Sequence, residues 1–111
     1  MKTIERDARH CIETCLRCYE ICFGAAMHHC LELGGEHVEP QHYRLVMACA
    51  EMCRACAHIL LISSPIYRSV CVACAEVCEQ CAHNCDRVGG MQDCSEACRR
   101  CADNCRKFAE H

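Results

Sequence analysis

The chain has 111 residues, enough for one small domain with a core and too few for two. Its formal net charge is −3 with no basic run, and it holds no Trp, three Tyr and two Phe, which argues against nucleic-acid binding by electrostatics or by base stacking. The outlier is cysteine, at 17 of 111 residues, a share above that at which a short secreted chain is read as a disulfide scaffold.

Charges at Lys2, Glu5, Arg6 and Asp7 stand where a secretory signal would be apolar, and the longest apolar run is only Ile59 to Ile62. A cytoplasmic protein that does not span a membrane is expected. The first predicted helix covers about 4–33 and carries Cys11, Cys15, Cys18, Cys22 and, after a gap, Cys30. Steps of three and four alternate, which is one face of an α-helix and not a strand. The interval from Cys22 to Cys30 spans two such steps, with Ala26 between them. Gly34-Gly35 closes this helix, because glycine tolerates the left-handed closing position. Pro40 opens a second helix, 40–62, with Cys49, Cys53 and Cys56. Ser63-Ser64-Pro65 supplies a break, a serine cap and a proline start for a third, 65–88, with Cys71, Cys74, Cys78, Cys81 and Cys85. Gly89-Gly90 precedes a fourth, 92–109, with Cys94, Cys98, Cys101 and Cys105.

Connections this short force antiparallel neighbours. The expected fold is all-α: a single domain over 1–111, an antiparallel up-down-up-down four-helix bundle with a Cys-lined core. The third helix alone carries five cysteines over a rise of roughly 21 Å.

Buried cysteine can be a mere small hydrophobe, but leucine at the same sites would bury more apolar area. Intrahelical disulfides fit poorly: Cβ atoms three or four residues apart sit about 5–6 Å from each other, and a disulfide wants about 3.8 Å. An odd count and a reducing compartment also favour metal over disulfides. Zinc knuckles need a CxxC bend, and Cys53/Cys56 and Cys71/Cys74 lie inside helices. Iron–sulfur clusters want a compact loop, which the continuous helical period does not leave. Cu(I) is soft and satisfied by few thiolates, and monovalent ions balance many buried thiolates one for one. Many Cu(I) ions per chain, approaching about one per cysteine, is the expectation; a redox iron–sulfur protein or a structural zinc-thiolate protein is the alternative. An enzyme is not expected, since no polar pocket residues accompany the thiols.

The CxxxCxxCxxxC motif at Cys11–Cys22, Cys74–Cys85 and Cys94–Cys105, with CxxxCxxC at Cys49–Cys56, resembles the bacterial copper storage proteins, in particular their cytosolic branch. That resemblance covers essentially the whole chain. It implies a four-helix bundle filled with Cu(I) through one end, storage and buffering of cytosolic copper, and a homotetramer. Copper is then supplied by a copper chaperone or a small thiol.

Extending the inward stripes places Ile4, Leu60, Tyr67 and Phe108 at one end as an apolar plug, with Ile59, Leu61 and Ile66 nearby. The other end collects His28, His29, Cys30, His37, His42 and Met91. Helical phase aims His29, His42 and Met91 at the mouth as entry ligands, while His28 and His37 read as ordinary loop residues. A second stripe, Ile12, Leu16, Tyr19, Phe23 and Met27, lies about 100° from the cysteines and marks a candidate oligomer face.

Overall fold

The computed structural model describes residues 5–111; Ile4 of the expected plug lies outside them. Helix α1 spans Arg6–Gly24, passes through a π-helical turn at Ala25–Cys30 and ends in a last α-turn, Leu31–Leu33. A 3₁₀ turn, Gly35–Val38, leads to α2 at Pro40–Leu61. Helix α3 follows at Tyr67–Val88 and α4 at Gln92–Ala109.

The π turn is the main departure from the expected continuous first helix. Eight α-helical steps of about 100° would leave Cys30 about 80° away from the stripe of Cys22. Hydrogen bonding from i to i+5 absorbs one residue, so eight steps aim Cys30 as seven would. Ala26 and Cys30 are accordingly both fully buried.

Local chemistry sets the other ends. Gly34 takes a φ of 64° that other residues rarely adopt, and Gly89 does the same at 83° while its N–H donates to the Cys85 carbonyl at 2.9 Å. Glu39 caps α2, its carboxylate accepting from the N–H groups of Gln41 and His42 at 3.0 Å each, with Pro40 in the first turn. The third helix begins two residues later than the expected proline start. The Ser64 hydroxyl accepts from the Ile66 N–H at 3.4 Å, and Pro65 and Ile66 belong to the turn.

Each helix packs against its two neighbours in a ring, α1–α2–α3–α4–α1, as an up-down-up-down connection requires. The described residues form a rod of 49 × 22 × 19 Å. All seventeen cysteines are buried, at most 1% exposed. Beside the sulfur stripe runs a stripe of buried alanines, among them Ala50, Ala57, Ala75, Ala82 and Ala102, each directly after a cysteine in sequence. These small side chains let the helices close around a core made of thiols. Outside, Arg106 and Arg99 of α4 pair with Glu79 and Asp86 of α3. These pairs are half-exposed and add about 0–1 kcal/mol each. Among the described residues no helix is long and apolar enough to cross a membrane.

Candidate metal centre

The four stripes bring sulfur from distant parts of the chain into one connected array. At one end Cys11 Sγ lies 3.9 Å from Cys105, which is 3.7 Å from Cys15. The chain continues through Cys101, Cys53, Cys78 and Cys49, each step 3.5–3.9 Å. Cys98, 3.7 Å from Cys49, leads to Cys22 at 3.5 Å, and Cys22 to Cys94 at 3.2 Å. Cys85, 3.7 Å from Cys94, brings in Cys81 at 3.9 Å. Cys56 and Cys71 form a side pair at 3.9 Å. All seventeen are free thiols.

Several sets of four sulfurs lie within 4.8 Å of one another, and the sets overlap. Cys18 and Cys49 belong both to a quartet with Cys53 and Cys78 and to one with Cys22 and Cys98; Cys22 and Cys98 recur with Cys81 and Cys94. A structural zinc site is usually a closed tetrahedron of four ligands around one ion. Overlapping sets instead suit a soft ion with few ligands, whose thiolates bridge from one ion to the next.

Protons fill the array when no cation does. Burial pushes the Cys30 thiol up, helped by the nearby Cys94 and Cys81. Deeper in, thiol contacts divide the protons between partners: the hydrogen bond with Cys105 pulls Cys101 down to about 7, and the same contact pushes Cys105 up. Isolated buried thiolates are costly, so a cation entering the array displaces protons as it binds.

At the mouth the structure gathers His29, His42, Met91 and Cys30. His42 is fully buried; its Nε2 lies 3.1 Å from the Met91 thioether, which is 3.9 Å from Cys30 Sγ. Its Nδ1 accepts from the Asn84 amide, whose oxygen is held by the Arg87 guanidinium at 2.8 Å. Burial lowers the His42 pKa, which keeps the imidazole neutral as a ligand must be. His29 is half-buried, and its Nε2 is shut off from solvent without a hydrogen-bond partner among the described residues.

His37, expected to be an ordinary loop residue, belongs to this cluster. Its Nε2 donates to the Gly89 carbonyl at 3.1 Å, and its ring lies 5.2 Å from His29 and 6.4 Å from His42. It sits on the 3₁₀ turn, outside any helical period, so phase could not place it. His28 is exposed. Asn84, which orients His42, has no sequence signal beyond its place between Cys81 and Cys85.

At the opposite end Leu60 and Phe108 are buried, and the Tyr67 ring lies 5.2 Å from Phe108. Ile59 is half-buried, whereas Leu61 and Ile66 are exposed and contribute little to a plug.

The model of the copper storage protein (Csp) family matches residues 4–110. The chain belongs to the copper storage protein family. Solved structures that resemble this chain over nearly its full length include three. One is a crystal structure of a Nitrosospira multiformis protein, 45% identical, covering 95% of this chain and 96% of that one, with a TM-score of 0.92. The second is the Cu(I)-bound copper storage protein BsCsp3, 31% identical over 94% of this chain and 99% of that one, TM-score 0.87. The third is apo-Csp3 from Bacillus subtilis, 32% identical over 92% and 98%, TM-score 0.83. No curated protein sequence matches this chain.

Proposed function

We propose that this protein holds many Cu(I) ions in its thiol array and buffers copper in the cytoplasm. The observation that carries the reading is the overlap of the four-sulfur sets along the bundle axis, since shared thiolates suit many monovalent ions and not a few isolated divalent ones. The Cu(I)-bound state of BsCsp3, a structure of the same fold at 31% identity, supports it. The seventeen cysteines are the proposed ligands, with a ceiling near one ion per sulfur. The protein acts by binding and release and not as an enzyme. Anaerobic titration of reduced protein with Cu(I) against a competing chelator tests the reading: binding well above four equivalents per chain is expected, and saturation at one to four removes the storage role.

Copper enters at the mouth, where Met91, His29 and His42 offer soft or borderline donors ahead of Cys30. Ligation through His42 Nε2 needs its other tautomer and a turned Asn84 amide, which makes this residue a transient ligand. A copper chaperone or a small thiol is the proposed donor.

The protein assembles as a homotetramer through α1. Leu16, Tyr19, Phe23 and Met27 are only half-buried against the core, and Tyr19 packs edge-on against Phe23 at 5.9 Å. Light scattering on wild type and on Leu16→Glu with Phe23→Glu checks this. A tetramer that the double change dissociates is expected; a monomeric wild type would leave the stripe as flank packing.

A further inference from the structure

The Phe108 end is less sealed than its apolar side chains imply. Leu60, Tyr67 and Phe108 come from the ends of α2, α3 and α4. Towards α1 a cleft of about 200 Å³ opens, walled by Asp7, His10, Lys107, Phe108 and His111 and reaching Cys11. Cys11 belongs to the thiol array through its 3.9 Å contact with Cys105. A sulfur near this end therefore meets a cleft that carries two imidazoles, a carboxylate and the Lys107 amine.

His111 lies across the cleft. Its Nε2 is 2.7 Å from the Asp7 carboxylate at the start of α1, and its ring lies tilted with its centroid 4.7 Å from that of Phe108. Its carbonyl accepts from the Tyr67 hydroxyl at 3.4 Å and from the Arg68 guanidinium, at the start of α3. His111, two residues beyond α4, is thereby fastened to both helices that begin at this end. The fastenings are exposed, with His111 at 37% and Asp7 at 61% side-chain accessibility, and exposed pairs of this kind are weak. They can open without unfolding the bundle. Imidazole is an acceptable ligand for copper, so His10 and His111 are suited to pass an ion that Cys11 then holds.

We infer that this cleft is a second port of the thiol array: His111 is its latch, and His10 and His111 pass Cu(I) to and from Cys11. The transfer step rests on the proposed copper storage; the port itself does not, and two measurements separate them. In the first, reduced metal-free protein under argon meets limiting iodoacetamide, and modified cysteines are mapped by mass spectrometry. Cys11 is expected to react early, together with Cys94, which lines the mouth cleft beside His29 and Met91; Cys53, deep in the array, reacts last. His111→Ala raises the Cys11 rate by about fivefold, the worth of an exposed ion pair, and leaves Cys94 unchanged. Reaction of Cys11 as slow as Cys53, modification of all cysteines at one rate, or an unchanged Cys11 rate in His111→Ala overturns the port. In the second, copper-loaded protein is exposed to a chelator, and His111→Ala is expected to lose its first ions faster than wild type. Equal loss despite fast Cys11 alkylation overturns the copper step. A protein that takes up no copper sinks the storage reading and that step together, while the alkylation pattern still decides whether the port exists.

Discussion

The two ends of the bundle close the same thiol array with different chemistry. At the mouth, His42 is fully buried and hydrogen-bonded, and Met91 is its neighbour, so donor atoms face inwards. At the far end Leu60 and Phe108 fill the axis, and the imidazole of His111 lies outside them in solvent. The mouth therefore presents soft and borderline donor atoms in a fixed arrangement. The far end is built to exclude water, with one weakly latched gap beside Cys11. Polarity alone does not separate them, since both ends carry histidine. What differs is whether the imidazole is part of the core or lies over it.

The first effect expected from this contrast is kinetic. His29→Ala with His42→Ala should slow Cu(I) uptake from a chelator by about tenfold, a loss typical of damaged ligand shells, while leaving capacity nearly intact. Uptake rates at fixed chelator concentration check this, with thiols assayed beforehand. Wild-type loading by the double variant would reduce the rim histidines to loop residues.

The next effect is on stability and belongs to the other end. Phe108→Ala with Leu60→Ala removes two buried apolar side chains and should destabilise the apoprotein by about 3–5 kcal/mol, below the roughly 5–10 kcal/mol summed for two such truncations because both lie near a helix end. Loading at the mouth should be no slower. Denaturant unfolding and the same uptake assay read both quantities, and slower loading in this variant would put the main entrance at the wrong end.

Much of this was legible from spacing. Steps of three and four set all four helices and the inward direction of every cysteine but Cys30, because nothing but a helix repeats on that period. Gly34, Gly89 and Pro40 marked their boundaries through conformations that few residues share. The eight-residue interval at Cys30 contained the π turn, but periodicity alone does not say whether the helix or the side chain gives way. His37 and Asn84 act through tertiary contacts, one from a 3₁₀ turn and one from the flank of α3. The cleft beside Cys11 depends on residues a hundred positions apart, and no local pattern encodes that distance.

A smaller test uses that π turn. Deleting Ala25 should restore an uninterrupted α-helix with Cys30 seven steps from Cys22, still inward. Stability should change by no more than about 1 kcal/mol, since the stripe keeps its phase. A crystal structure of the deletion variant that turns Cys30 outwards would contradict the phase account.

The smallest effect is in pH, and its sign differs between the ends. Burial depresses the His42 pKa in the folded state, so its contribution is complete above the unfolded value of about 6.5 and is lost as pH falls towards the folded pKa. The hydrogen bond to Asp7 raises the His111 pKa. Its contribution is complete below about 6.5 and fades as pH rises through the folded value. Melting of apoprotein across this range should therefore show an acid-side loss that His42→Gln removes and a weaker base-side loss that His111→Gln removes. The same sign at both ends would contradict the contrast between a core imidazole and a surface one.

The central claim is that thiolates are shared along one array. X-ray absorption at the copper edge, on protein loaded anaerobically near saturation, tests it most directly. The account predicts Cu(I) with about two to three sulfur ligands and a second copper as a near neighbour, because the overlapping sulfur sets bridge adjacent ions. A first shell dominated by nitrogen or oxygen, or copper ions with no copper neighbour, would contradict it.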